Sequence, residues 1–223
     1  FELDDELRAE APAAVAALGA LGIEVQIVSG DAAPVVTRLA RPFSFVLPWS
    51  LFPRTLEVWN PRGEVERKVA DVPLGDAIPM EGVRTGPRDV QWAACEAATL
   101  VWVEALDGGD PAREAEQRDR WFRHPAPFTA APEAFLTLEH RARGLRFLAD
   151  PNLLLASEYD RDRRWVRARI IDRSKAGGAP IVVEDRNRND RYGDPGTFAA
   201  TIGPFGTRIL RQDGDFLYRV GAG

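Results

Sequence analysis

The chain has 223 residues, 28% of them charged and 45% hydrophobic, with a formal net charge of -5, the proportions of a globular domain rather than a disordered or fibrous one. An acidic balance, with pI near 5.2 and mean hydropathy of -0.25, offers no long-range attraction to a polyanion, so no nucleic-acid partner is expected. Apolar runs such as 100–105 and 153–156 are far short of the roughly 20 residues that cross a bilayer as a helix, and they read as buried strands with no membrane partner.

Cys95 is the only cysteine, which excludes an internal disulfide and leaves a thiolate zinc site without ligands. No metal and no cofactor are expected. The chain opens on Phe1 without a basic stretch followed by an apolar one, which is read as a soluble chain, cytoplasmic rather than exported.

In chain order, residues 1–40 stand apart. Leu7, Ala11, Ala14, Val15, Leu18 and Leu21 recur at three- and four-residue steps, the signature of one helix face. Gly22 punctuates, residues 23–28 alternate as a strand, and Ser29-Gly30-Asp31 leads to a second short helix with Pro34 in its first turn. The expectation is a short helix-strand-helix α/β element.

From Pro42 the period changes to two. Residues 56–59 and 64–69 flank the turn Asn60-Pro61-Arg62-Gly63 as a hairpin. Further strands are expected at 89–93, 99–106, 118–123, 135–139, 145–148, 153–159 and 164–171, then at 181–184, 198–202, 208–210 and 216–220. Short strands between turn signals make an antiparallel, mainly β architecture. Trp92, Leu100 to Glu104 and Arg120-Trp121-Phe122 can be laid against Phe147, Leu154 to Glu158 and Arg164-Trp165-Val166. A repeat of roughly 55 residues fits a four-stranded blade with one enlarged loop, two to three blades in all. An incomplete ring would leave sheet edges open to association with a partner strand.

The stretch Val83-Arg84-Thr85-Gly86-Pro87-Arg88, Trp92 and residues 99–111 resemble the propeller of glutamyl endopeptidase-like serine peptidases, of the prolyl oligopeptidase family. So do Arg41-Pro42-Phe43-Ser44-Phe45, Phe52-Pro53-Arg54, Glu57-Val58-Trp59, Ser157-Glu158-Tyr159-Asp160 and residues 190–196. The resemblance implies that residues 41–223 are a partial β-propeller that restricts access and helps choose peptide substrates. Catalysis would belong to a later α/β-hydrolase domain missing from this chain. No serine here has the Gly-x-Ser-x-Gly setting of a nucleophile elbow, so no catalytic residue is assigned. Arg84 and Arg88 are the candidates for binding a substrate carboxylate, since a guanidinium can grip one with two parallel hydrogen bonds. The plainer role for both is to support the Thr85-Gly86-Pro87 turn.

Residues 1–40 resemble instead part of the phosphorylation domain of heavy-metal P-type ATPases, a haloacid-dehalogenase-like fold, through Asp5-Glu6-Leu7-Arg8, residues 21–25 and Val28-Ser29-Gly30-Asp31. That resemblance places Ser29 and Asp31 at a phosphate contact. The aspartyl nucleophile and metal-binding motifs of that family are missing, so phosphoryl transfer is an alternative without its engine. A stand-alone β-scaffold binding a protein partner is the other alternative. The change of period near residue 40 is read as a join between two units, 1–40 and 41–223.

Asp185, Asn187 and Asn189 have the first three spacings of a calcium loop, but Asp190 and Gly196 occupy the positions that need Gly and Glu. Asp107-Gly108-Gly109-Asp110-Pro111 reads as a turn-rich loop. Arg163, Arg164, Arg167 and Arg169 around Trp165 read as the outer side of a strand neutralised by Asp160, Asp162 and Asp172. Arg, Ala and Gly abound while Lys68 and Lys175 are the only lysines, the usage of a GC-rich coding genome, taken as bacterial.

Overall fold

The computed structural model describes residues 34–41, 46–60, 62–175 and 177–221. The helix and strand expected within 1–33, together with Ser29 and Asp31, lie outside the described residues.

The regular structure of the described chain is antiparallel sheet apart from two 3-10 turns at Trp49–Leu51 and Gly75–Ala77. The first sheet is β1 (Val35–Leu39), β2 (Arg54–Trp59) and β3 (Val65–Val72) in that order. The second is a four-stranded meander of β4 (Arg88–Trp92), β5 (Thr99–Ala105), β6 (Asp119–Pro125) and β7 (Glu133–Leu138). A third, of the same topology, joins β8 (Arg141–Phe147), β9 (Leu153–Asp160), β10 (Trp165–Asp172) and β11 (Ile181–Asn187). Short ladders complete the chain: β12 (Thr197–Phe198) with β17 (Arg219–Val220), β13 (Ala200–Ile202) with β14 (Arg208–Leu210), and β15 (Gln212–Asp213) with β16 (Phe216–Leu217).

One expectation fails at the start. The second helix predicted after Pro34 is strand β1, paired antiparallel with β2 from Val35 opposite Val58 to Leu39 opposite Arg54. Val35, Val36 and Thr37 are β-branched and suit a pleated surface better than a helix. Arg38 then grips both oxygens of Glu57 across the pair, Nη2 donating to Oε1 at 2.7 Å and Nε to Oε2 at 2.9 Å, and this bidentate contact holds the Glu57 carboxyl below the usual range. Residues on both sides of position 40 therefore belong to one sheet.

The sheets stack face to face, with a separate apolar layer between each neighbouring pair. Val58, Leu100, Trp102 and Phe128 fill the layer between the first and second sheets. Val101, Val103, Trp121 and Leu138 from the second meet Leu145, Phe147, Leu154 and Ala156 from the third. Leu148, Leu155, Ala168 and Leu210 close the layer between the third sheet and the last ladders. Both faces of the two central meanders are buried, which explains why β5 and β9 read as continuous apolar runs rather than alternating ones.

The internal repeat maps onto these sheets at an offset of 54 on the second strands. Leu100 and Leu154 both face the preceding sheet, and Val101 and Leu155 both face the following one. On the third strands the alignment of Trp121 with Trp165 slips. Trp121 lies opposite Val103, whereas the residue opposite Ser157, the counterpart of Val103, is Ala168. Trp121 is fully buried, while the Trp165 indole N–H reaches Asp185 at an exposed position.

Candidate functional site

Two features stand out where the sheets meet: a buried charge network at the start of β4, β6 and β8, and a cavity along the first strands.

The network is built on two carboxylates. Asp119, fully buried at the start of β6, accepts from Arg88 Nη2 at 2.7 Å and Arg141 Nη1 at 2.6 Å on Oδ1, and from the Ala142 amide at 2.7 Å on Oδ2. Asp107, buried at the end of β5, accepts from Arg118 Nη1 at 2.8 Å and Arg141 Nη2 at 2.6 Å on Oδ2, and from the Gly109 amide at 3.0 Å on Oδ1. Arg141 thus spans both carboxylates and ties the second sheet to the third. Burial opposes the Asp107 charge, and the hydrogen bonds from Arg141 and Arg118 outweigh it, so its carboxyl is held below its ordinary range. The Asp107 loop, a plain turn in the sequence reading, is a pinned element. Its Gly109 carbonyl accepts from the Val83 amide at 2.9 Å, and Gly109 takes a left-handed φ of 78° with the Val83 oxygen so near that a β-carbon would sit 2.0 Å from it.

Arg84 and Arg88, the sequence candidates for substrate contact, both point inward to partners of their own. The Arg84 guanidinium donates to the carbonyls of Pro73, of Ser50 at 3.2 Å and of Phe52 at 3.5 Å, and burial with the nearby Arg54 pulls its pKa down. Arg88 is spent on Asp119. The arginines of β10 are also occupied. Arg167 Nη2 donates to Glu139 at 2.8 Å and Arg169 Nη2 to Glu158 at 2.7 Å, so glutamates of β9 and the β7–β8 turn, not the nearby aspartates, neutralise them.

The cavity has a volume of about 1350 Å³. Its wall runs through consecutive residues of the first strands, Asp89 to Trp92 of β4 and Arg143 to Phe147 of β8, with Val35 of β1, Phe198 of β12 and Arg208 of β14. Successive residues of a strand point to opposite faces, so a wall made of unbroken runs is the edge of each strand rather than its face. β4 and β8 are indeed edge strands, paired only with β5 and β9. Gln91 Nε2 bridges them by donating to the Leu145 carbonyl at 3.2 Å.

Nucleophile chemistry finds no constellation among the described residues. Ser174 Oγ donates to Asp172 at 2.5 Å, Ser157 lines the cavity wall, and the Ser50 carbonyl serves Arg84. His124 is buried with Nε2 2.9 Å from the Ala130 carbonyl and its ring against Trp102 and Phe128. His140 lies beside Glu139 and Asp160. Cys95, half-buried with Sγ 2.6 Å from the Leu148 carbonyl, has its thiol pKa raised by burial, which disfavours the thiolate. Among the described residues no group of three metal-ligating side chains comes together, and no helix is long and apolar enough to cross a membrane.

Compared with known proteins, the chain is similar to the probable chloroplastic glutamyl endopeptidases of Arabidopsis thaliana and Oryza sativa subsp. japonica, each 32% identical over 182 residues and covering 80% of the chain. The chain spans 19% of the length of each of these relatives. They are plant proteins, so the bacterial source read from composition gains no support. No family model matches the chain, and no solved structure matches it. The resemblance of residues 1–40 to P-type ATPases gains no support from these comparisons. The similarity makes this a peptidase-related segment of mainly antiparallel β structure.

Proposed function

We propose that the chain is a non-catalytic propeller segment of a glutamyl endopeptidase-like serine peptidase, which admits and sorts peptides in front of a hydrolase domain carried elsewhere in the polypeptide. The observation that carries this reading is the arrangement of successive meanders with their first strands on one cavity, because blades of a propeller present their inner strands to a shared channel. The similarity to glutamyl endopeptidases over most of the chain supports the same parentage. In this reading Arg88 and Arg84 are scaffold. Arg88 fixes the start of an inner strand through Asp119, and Arg84 ties together the loops that precede it.

Two assays test it. A fluorophosphonate probe added to the purified chain should label no serine, because an activated hydroxyl needs a base within hydrogen-bond reach. Specific labelling of one serine would end the non-catalytic assignment. For gating, the chain replaces the aligned segment of the Arabidopsis thaliana relative. Peptide turnover should survive, and a bulky Gly144→Trp change on the cavity wall should slow longer peptides more than short ones. Equal slowing of both lengths would remove the gate. A second use of the fold, strand addition by a protein partner, is favoured only by β11, an edge strand with Ile181 and Val182 exposed.

A further inference from the structure

A second, smaller pocket of about 300 Å³ opens at the turn end of the two central meanders, with Arg118 and Arg141 of the charge network in its wall. It shares no lining residue with the larger cavity. Several of its charges are already matched. Glu81 pairs with Arg161, and Arg141 has both terminal nitrogens bound, to Asp119, Asp107 and the Arg118 carbonyl. Four other groups on the wall keep unused capacity. Arg118 commits Nη1 to Asp107, while its Nε and Nη2 have no partner among the described residues and are not sealed from solvent. Arg188 is exposed, lies 5.7 Å over the Tyr159 ring and makes no ion pair among the described residues. Asp160 commits Oδ1 to the amides of Asp162 at 3.0 Å and Arg163 at 3.3 Å. Its Oδ2 accepts no hydrogen bond among the described residues, with His140 Nε2 and Arg163 Nε standing off at 3.9 Å, although the side chain is only 13% exposed. Asp162 is exposed and makes no ion pair among the described residues. A carboxylate oxygen this far withdrawn from water and left without a donor is unfavourable, and a ligand can supply the donor.

We propose that this pocket binds a compact zwitterion, one molecule carrying both an ammonium and a carboxylate, of amino-acid or dipeptide size. An ammonium brings three donors, enough to satisfy Asp160 Oδ2 and reach Asp162. The carboxylate belongs on Arg118. Its Nε and Nη2 form the side-on edge of the guanidinium, two parallel N–H groups that match the two oxygens of a carboxylate, and Arg188 adds a second positive charge. A lone anion would face Asp160 and Asp162, and a lone cation would face Arg118 and Arg188, so repulsion opposes each. A dipolar molecule meets both sets with the opposite sign. Size sets the upper limit, because about 300 Å³ is the small end of ligand pockets, while an extended dipeptide spans only about 7 Å at roughly 3.3–3.6 Å per residue. Tyr159 and Pro111 supply apolar wall for a small uncharged side chain. The same Arg118 holds the buried Asp107, so a ligand on its free edge couples the pocket to the network that joins the second and third sheets. Binding to the folded chain alone then raises its resistance to unfolding. The site stands independently of the gate, whose failure would leave it unaffected.

The test is calorimetric titration and thermal unfolding of the full chain with four probes: free alanine, the dipeptide Ala-Ala, N-acetyl-Ala-Ala, which lacks the ammonium, and Ala-Ala amide, which lacks the carboxylate. Alanine or Ala-Ala should bind and raise the unfolding temperature, and the tighter of the two fixes the length of the ligand. Each blocked form should bind about tenfold more weakly than Ala-Ala, as expected for loss of a hydrogen bond between charged groups. Asp160→Asn keeps an oxygen for the turn amides of Asp162 and Arg163 while removing the charge, and it should erase the preference for Ala-Ala over its N-acetyl form. Arg188→Gln, an exposed change, should narrow the preference over the amide form about twofold to threefold and leave the other preference intact. Unchanged circular dichroism and unfolding temperature of the ligand-free variants show that the fold is kept. A Kd above about 10 mM for both zwitterions, equal affinity for blocked and unblocked forms, or an unchanged preference in Asp160→Asn would each overturn the proposal. Displacement of Ala-Ala by sulfate at equal concentration would overturn it too, by showing a plain anion site.

Discussion

Asp119→Ala is the sharpest probe of what holds the two central sheets together. Its carboxylate is fully buried and receives three hydrogen bonds, two from guanidiniums of Arg88 and Arg141 whose side chains are 14% and 16% exposed. Removing one partner of a buried ion pair costs about 3–5 kcal/mol, because the remaining charge stays desolvated without compensation. The residual exposure of both arginines lets water reach them and places this case at the low end, about 3 kcal/mol. With a urea dependence of about 2 kcal/mol per M for a domain of this size, the unfolding midpoint should fall by about 1.5 M. Fluorescence of the buried Trp121, in the layer between the same two sheets, reports the transition. A companion Glu133→Ala removes a carboxylate whose side chain is 64% exposed on β7 of the same sheet and should move the midpoint by less than about 0.3 M. A double variant, Asp119→Ala with Arg141→Met, should be less destabilised than the sum of the single changes, since it no longer strands the second guanidinium. A midpoint shift below about 0.5 M for Asp119→Ala would refute the idea that this network joins the sheets.

Other outcomes follow from the same geometry. Gly109→Ala places a β-carbon 2.0 Å from the Val83 oxygen at a left-handed φ, so the loop must give up its Val83–Gly109 hydrogen bond, and thermal unfolding should register a loss of about 2 kcal/mol or more. Trp121→Ala empties the centre of the layer between the second and third sheets and should cost about 3–5 kcal/mol by urea titration. The folded-state pKa of Asp107 lies below its unfolded value, so the stabilisation it brings is fully present above about pH 4 and is lost as pH falls through the folded value. Urea midpoints measured from about pH 5 down to about pH 3 should decline less steeply for Asp107→Asn, from a lower starting stability. An identical slope in both proteins would show that Asp107 is not the titrating anchor.

What the sequence determined by itself is most of the strands from Arg54 to Asn187, whereas the expected 198–202 and 216–220 each split into two short strands of different ladders and Gln212–Asp213 adds one that was not expected. Period-two alternation and turn residues are local signals, and the expected segments 99–106, 153–159 and 164–171 coincide with β5, β9 and β10 to within a residue or two. It also showed that the two meanders repeat, because the apolar pattern of β5 recurs in β9. Where local signals mislead, a distant partner decides. Val35–Leu39 follows a helix-like cue at Pro34 yet becomes a strand, since β2 supplies its hydrogen bonds and Glu57 its Arg38 partner. Trp121 and Trp165 share a neighbourhood in sequence but not a position, because register is set by pairing across the sheet. The fate of each arginine was likewise beyond reach of the sequence. Arg88 and Arg143 are the same residue type on the first strands of successive meanders, yet Arg88 meets Asp119, 31 positions away, while Arg143 faces the open cavity. Charge pairing depends on distances of a few ångströms between remote segments, and only the tertiary fold sets those distances.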